Sequence, residues 1–324
     1  MKKAISVVFA VLLLLGLCAC GGTAAKSTGA LTVVTTIFPA YDWLRSVAGE
    51  GTGVDITMLL DSGVDLHSFQ PTAQDMLKIS TCDLFVYVGG ESDAWVEDAL
   101  KTAANKDMIV LDLMEELGDL AKEEETVEGM EAEAEEEEGE EGPEYDEHIW
   151  LSLKNAAFLT ERMGATLSKL DAAHADQYKR NAAAYVEKLK ALDAQYAQAV
   201  ADASTKTLLF GDRFPFRYLC DDYGLSYYAA FSGCSAETEA SFETVAFLAG
   251  KVDELGLDAV LTIEGTGRRI AETIVQNTQS KDQRILTLDS FQSVTARDVQ
   301  EGATYLAIME ANLAVLREAL NRKG

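Results

Sequence analysis

The chain has 324 residues, 48% of them hydrophobic, enough for two cores of ordinary domain size. Its formal charge of −27 argues against nucleic acid as a partner, because phosphate neutralisation needs clustered Lys and Arg. The excess is local: fifteen acidic residues and no Lys or Arg fall between Glu123 and Glu147, so the rest is only mildly acidic.

Lys2 and Lys3 precede an apolar run, Ala4 to Leu17, broken only by Ser6 and Gly16. A bilayer span needs about 20 apolar residues, so this run reads as a secretory signal. It closes on Leu17-Cys18-Ala19-Cys20, which resembles a bacterial lipobox. Cys20 follows a small residue and is the expected site of lipidation. Residues 1–19 are then the signal, and 20–30 a small-residue tether that holds the chain to the extracytoplasmic face of the cell membrane. The other mature cysteines, Cys82, Cys220 and Cys234, lack metal-knuckle spacing. An exported chain tolerates disulfides, and Cys220 with Cys234 is the candidate pair.

Beyond the tether, β-branched runs alternate with helical patterns, as in parallel α/β sheets. Strands are expected at Leu31–Ile37, Val54–Leu60, Asp83–Val88 and Met108–Leu113, with helices at Pro39–Ala48, Gln74–Ile79 and Ala94–Ala104. Four more strands follow at Thr207–Phe210, Ser226–Phe231, Ala259–Ile263 and Ile285–Leu288. Their helices are Phe216–Tyr223, Phe242–Leu255, Arg268–Gln276 and Ala303–Leu320. The expected fold is α/β: two lobes, 31–153 and 202–324, each a roughly four-stranded parallel sheet flanked by helices. One long linking helix should join them across 154–201, where Tyr178, Tyr185, Leu189, Leu192 and Tyr196 share a face. The Glu-rich stretch within 118–147 has too few apolar residues to offset the entropy of ordering, and is expected to be a disordered, solvated loop.

There are only three histidines. His174 falls among Ala, Asp and Gln in the linking stretch and reads as a solvated surface residue. His67, in GVDLHSFQP, follows the second strand, and His148, in YDEHIWLS, follows the fourth and the acidic loop. Ligands of open parallel sheets bind outside the carboxyl ends of the strands. The other strand ends carry Gly211-Asp212-Arg213, Glu264 and Asp289. Two imidazoles can therefore face carboxylates across a cleft, a donor set suited to Zn²⁺ or Mn²⁺ and unsuited to Cu(I). No G-x-S-x-G and no Walker loop is present, so nothing indicates covalent catalysis or nucleotide binding.

The segments VVTTIFPAYDWLRSVAGE, GVDLHSFQPTAQDM, DLFVYVGGESDAW, DEHIWLSLKNA and SKLDAAHADQYKRNAAAYVEKLKALD resemble the metal-binding receptors of bacterial zinc and manganese importers. That resemblance implies a lipid-anchored, monomeric receptor, not an enzyme, that carries Zn²⁺ (or Mn²⁺) between two lobes to the permease of an ABC importer. It also implies ligands at His67, His148 and Asp289. The chain departs from the pattern at the start of lobe two, where a His or Glu is expected and GDRFPFRYL stands. Gly211 or Arg213 occupies the place and neither can supply the expected ligand, which leaves Asp212, Glu264 or a water as substitute, with Glu264 favoured. The competing reading is an extracellular metal-dependent hydrolase, for which Glu264 would be the general base.

Overall fold

The computed structural model describes residues 30–131, 144–233 and 239–321, so the signal, Cys20 and Cys234 lie outside the described residues. Eight strands form two parallel sheets: β1 (Thr32–Thr35), β2 (Asp55–Met58), β3 (Leu84–Tyr87) and β4 (Ile109–Asp112) in the order 2-1-3-4, and β5 (Thr207–Phe214), β6 (Ser226–Ser232), β7 (Ala259–Ile263) and β8 (Arg284–Leu288) in the order 6-5-7-8. Both lobes therefore have the expected four-stranded parallel architecture. In each, the strand order reverses beside the first strand, which opens a crevice at the carboxyl ends.

The helices are α1 (Phe38–Ala48), α2 (Ala73–Thr81), α3 (Trp95–Lys101) and α4 (Leu113–Leu117) in lobe one, then α5 (Leu153–Leu170) and α6 (Ala175–Ala201). Lobe two adds α7 (Arg217–Tyr223), α8 (Phe242–Leu255), α9 (Arg269–Asn277), α10 (Ala296–Gln300) and α11 (Tyr305–Ala319). No helix among the described residues is long and apolar enough to cross a membrane.

The stretch 154–201 is not one helix. It breaks at 171–174, and α5 and α6 pack on each other as a hairpin. The break follows from Asp171, whose carboxylate accepts from Ala173 N (3.2 Å), His174 Nδ1 (2.6 Å) and the Tyr178 hydroxyl (2.8 Å), local bonds that compete with the helical ladder. His174 is thus paired and half-buried at the turn rather than free on a helix surface. The linking role belongs to α6 alone, which packs on α1 of lobe one and α11 of lobe two.

Behind the crevice the lobes are stitched by buried polar groups. Asp42 on α1 accepts from the Tyr185 hydroxyl of α6 (3.2 Å) and from Tyr305 N (2.9 Å), an amide at the start of α11 that has no partner within its own helix. Trp150 Nε1 donates to Ser290 O (2.9 Å), and the Tyr305 hydroxyl donates to Trp150 O (2.7 Å).

The described ends of the acidic stretch are ordered, contrary to the loop expected over 118–147. Glu124 N donates to Glu144 O (2.8 Å) and Asp146 N to Lys122 O (2.8 Å), closing the loop's neck. The stretch then lies along lobe two: Lys122 N donates to the Tyr218 hydroxyl (2.9 Å), and Glu131 N to Ala230 O of edge strand β6 (2.9 Å). Composition concealed this docking, because a single apolar side chain, Met130, buries itself among the glutamates and is only 8% exposed. Cys220 is a free, fully buried thiol, and its candidate partner Cys234 lies outside the described residues.

Candidate metal centre

Each histidine is delivered by a short turn that an aspartate two residues earlier organises. Asp65 precedes the one-turn helix Leu66–Ser68 and accepts from His67 N at 3.1 Å. Asp146 accepts from His148 N at 2.8 Å, and the chain then runs through the turn Ile149–Leu151 into α5. This repeated D-x-H pattern was the sequence signal for both turns, and reading the histidines alone overlooked it.

The turns bring the two rings together, with Nε2 of His67 and Nε2 of His148 3.2 Å apart. A carboxylate sets the tautomer of one ring. His148 Nδ1 lies 2.9 Å from Asp146 Oδ1, an acceptor, so the neutral ring carries its proton on Nδ1. His67 Nδ1 lies 2.7 Å from Ser92 Oγ, a hydroxyl able to donate or accept, and 3.5 Å from Glu147 Oε2. A neutral ring protonated on Nδ1 offers its Nε2 lone pair to a cation, and the two Nε2 atoms lie close enough to share one ion. Zinc–nitrogen bonds of about 2.0–2.1 Å in tetrahedral geometry set neighbouring donors about 3.3 Å apart, close to the spacing found.

The two rings differ in their electrostatics. Burial, with the neighbouring His148 second, pulls His67 down to about 4. Burial also works against charge on His148, but the Asp146 carboxylate outweighs it and holds that pKa above the ordinary value. Two rings this close cannot both be charged. Beside His67 a cavity of about 240 Å³ opens, lined by Glu91, Ser92, Glu124, Glu144, Tyr145 and Glu147.

The lobe-two residues fall differently. Asp212 does not face the rings: Oδ2 accepts from Ile263 N (3.1 Å) and the Thr266 hydroxyl (2.5 Å), and Oδ1 from Arg213 N (2.9 Å). Glu264 uses both oxygens on one loop, accepting from Ser290 N (2.6 Å), the Ser290 hydroxyl (2.8 Å) and Gln292 N (3.0 Å). Asp289 accepts from Phe291 N at 2.8 Å, and burial together with the Glu264 charge pushes its pKa up to about 7. Among the described residues, no three His, Cys, Asp or Glu side chains converge closely enough to hold a metal as they stand. The imidazole pair is the preformed part.

β5 runs on to Phe214, through the GDR segment expected to follow it, with a bulge where Phe210 pairs with Ala229 and Arg213 with Phe231. A bulge re-aims a side chain, and here Arg213 reaches across to Asp65 Oδ2 at 2.8 Å. Gln292, with its amide nitrogen toward Asp65, donates to both carboxylate oxygens at 2.8 and 2.7 Å and sets its own oxygen 3.3 Å from His148 Nε2. Asp65, Asp146, Ser92 and Gln292 are the site residues that sequence reasoning missed.

Asp146→Asn is expected to lower zinc affinity by about 10–100-fold, the usual cost of losing an imidazole's orienting carboxylate. A competition titration checks this, and unchanged affinity would show that Asp146 does not set the His148 ring.

Comparison with known proteins follows the same lines. The chain is 32% identical over 326 residues to the zinc-binding lipoprotein AdcA of Streptococcus pneumoniae serotype 4, covering all of this chain and 62% of that protein. The chain thus spans about three fifths of the length of that relative. It is 29% identical over 310 residues to the high-affinity zinc uptake system protein ZnuA of Bacillus subtilis, covering 93% of each. Among solved structures, the Zn(II)-bound ZnuA-like domain of Streptococcus pneumoniae AdcA superposes with a TM-score of 0.71 at 28% identity, covering 91% of this chain and 100% of that one. The model of the family described as zinc-uptake complex component A, periplasmic (ZnuA), matches residues 33–319, and the chain belongs to that family.

Proposed function

We propose that this chain is an extracytoplasmic receptor that binds a divalent transition metal, zinc in preference to manganese, between its lobes and delivers it to an ABC-type membrane importer. The observation that carries the reading is the pair of Nε2 atoms 3.2 Å apart, with the His148 ring held at Nδ1 by Asp146 and the His67 ring by Ser92. The named relatives of similar sequence support zinc as the cargo and an uptake system as the destination. The lipoprotein among them supports anchoring through Cys20 at the outer face of the cell membrane. A monomer suffices, since all the site residues come from one chain.

In this reading His67 and His148 supply the imidazoles and Asp289 the carboxylate from lobe two. Its burial beside Glu264 makes positive charge welcome there. Glu264 anchors the loop that carries Gln292, a role supported by its three hydrogen bonds. The same bonds leave it badly placed as a hydrolytic base. The glutamate-lined cavity beside His67 concentrates cations at the mouth of the site.

Zinc should therefore raise the melting temperature of the purified chain by several degrees. A ligand at a thousandfold its dissociation constant stabilises by about 4 kcal/mol. Thermal melts with Zn²⁺, Mn²⁺ and Mg²⁺ test the reading. No shift with either transition metal removes it, and a larger shift with Mn²⁺ than with Zn²⁺ reverses the preference.

A further inference from the structure

Asp65 and Asp146 stand two residues before the two histidines and cap their turns in the same way, yet their carboxylates diverge. Asp146 turns to the Nδ1 side of its ring. The corresponding side of His67 is taken by Ser92, and Asp65 instead lies on the Nε2 side, with Oδ1 4.0 Å from His67 Nε2. Among the described residues it is the carboxylate within 4.0 Å of either Nε2. Its other oxygen, Oδ2, is held at 2.8 Å by Arg213, which stands where lobe two was expected to offer a ligand.

We propose that Asp65 is a further protein donor of this centre, beside His67, His148 and Asp289, an inference that rests on the metal-binding reading above. The ligand position expected at the start of lobe two has been given over to a guanidinium that presents a lobe-one carboxylate. Arg213 stays on Oδ2 while Oδ1 moves onto the ion. Two donors on one tetrahedral ion sit about 3.3 Å apart, so the carboxylate has well under 1 Å to travel from its present 4.0 Å. Gln292 follows, its amide keeping contact with the carboxylate from lobe two. A metal-bound carboxylate whose second oxygen is fixed by an Arg is a common outer support of such sites. Here that support comes from the opposite lobe, so seating the ion also draws the lobes together.

The test is Asp65→Asn, which keeps an oxygen to cap His67 N, compared with Arg213→Gln, His67→Ala and His148→Ala. Each variant is titrated with Zn²⁺ against a chromophoric chelator, and its Co²⁺ complex is examined by visible absorption. Asp65→Asn is expected to lose more than about 100-fold in Zn²⁺ affinity, beyond the ~10–100-fold typical of an orienting group, and to shift the Co²⁺ bands. Arg213→Gln should lose about 10-fold and leave the Co²⁺ bands in place. If Asp65→Asn binds within about twofold of the parent with the same Co²⁺ spectrum, while the histidine variants lose binding, Asp65 is not a ligand and the metal centre stands without it. If the histidine variants bind as the parent does, the centre itself is wrong and this inference falls with it.

Discussion

His67→Ala is expected to cost the chain more than about 100-fold in zinc affinity while leaving the metal-free fold intact. A lost ligand exceeds the ~10–100-fold penalty of a lost orienting group. The only histidine outside the pair, His174, is held by Asp171 at the α5–α6 turn and cannot substitute. His67 sits on a short surface turn, and its removal strands only Ser92 Oγ and one edge of Glu147. His148→Ala should lose as much affinity but is less clean. That ring is fully buried, and deleting it leaves a void and half of the Asp146 hydrogen bonding unmade, at a stability cost of about 1–3 kcal/mol. Competition titration and a metal-free melt on each variant separate the two effects. Parent-like affinity in His67→Ala would falsify the imidazole pair as the zinc site.

Local patterns carried the fold a long way. Runs such as TVVT, LFVY and AVLTI are buried on both faces, so apolar continuity marked them as strands of a parallel sheet. The histidines were legible because loops beyond strand ends are where such sheets bind ligands. What stayed hidden depends on partners distant in sequence. Arg213 and Asp65 are 148 residues apart, and no periodicity announces their pairing. The helix break at Asp171 was missed because a carboxylate that bonds its own turn looks, in sequence, like any polar surface residue. The docking of residues 118–131 on lobe two was missed because composition averages over a window, whereas one buried Met130 and a few backbone bonds decide the matter.

The position at which a lobe-two ligand was expected provides the second large effect. Gly211 lies in β5 with α9 packed directly over it. A Cβ there would meet Ala271 Cα at 2.6 Å and Ala271 N at 2.8 Å, main-chain atoms that cannot rotate away. Glycine inside a strand marks such a close backbone approach. The same packing buries Ala271 and Ile274 against the sheet, so α9 cannot lift without opening the lobe-two core. Gly211→Ala should therefore destabilise the chain by about 1–3 kcal/mol, the usual cost of overpacking, and lower the melting temperature by several degrees. Gly211→His, which restores an imidazole to the place where relatives of the importer type are expected to have one, should destabilise further and leave zinc affinity no higher. The chain cannot carry a ligand side chain at Gly211 while α9 keeps its seat, and the neighbouring bulge aims Arg213 at Asp65 instead. Thermal melts with and without zinc decide between the two accounts. A Gly211→His variant with parent-like stability and tighter zinc binding would show that the space is available and that the absence of a ligand there has another cause.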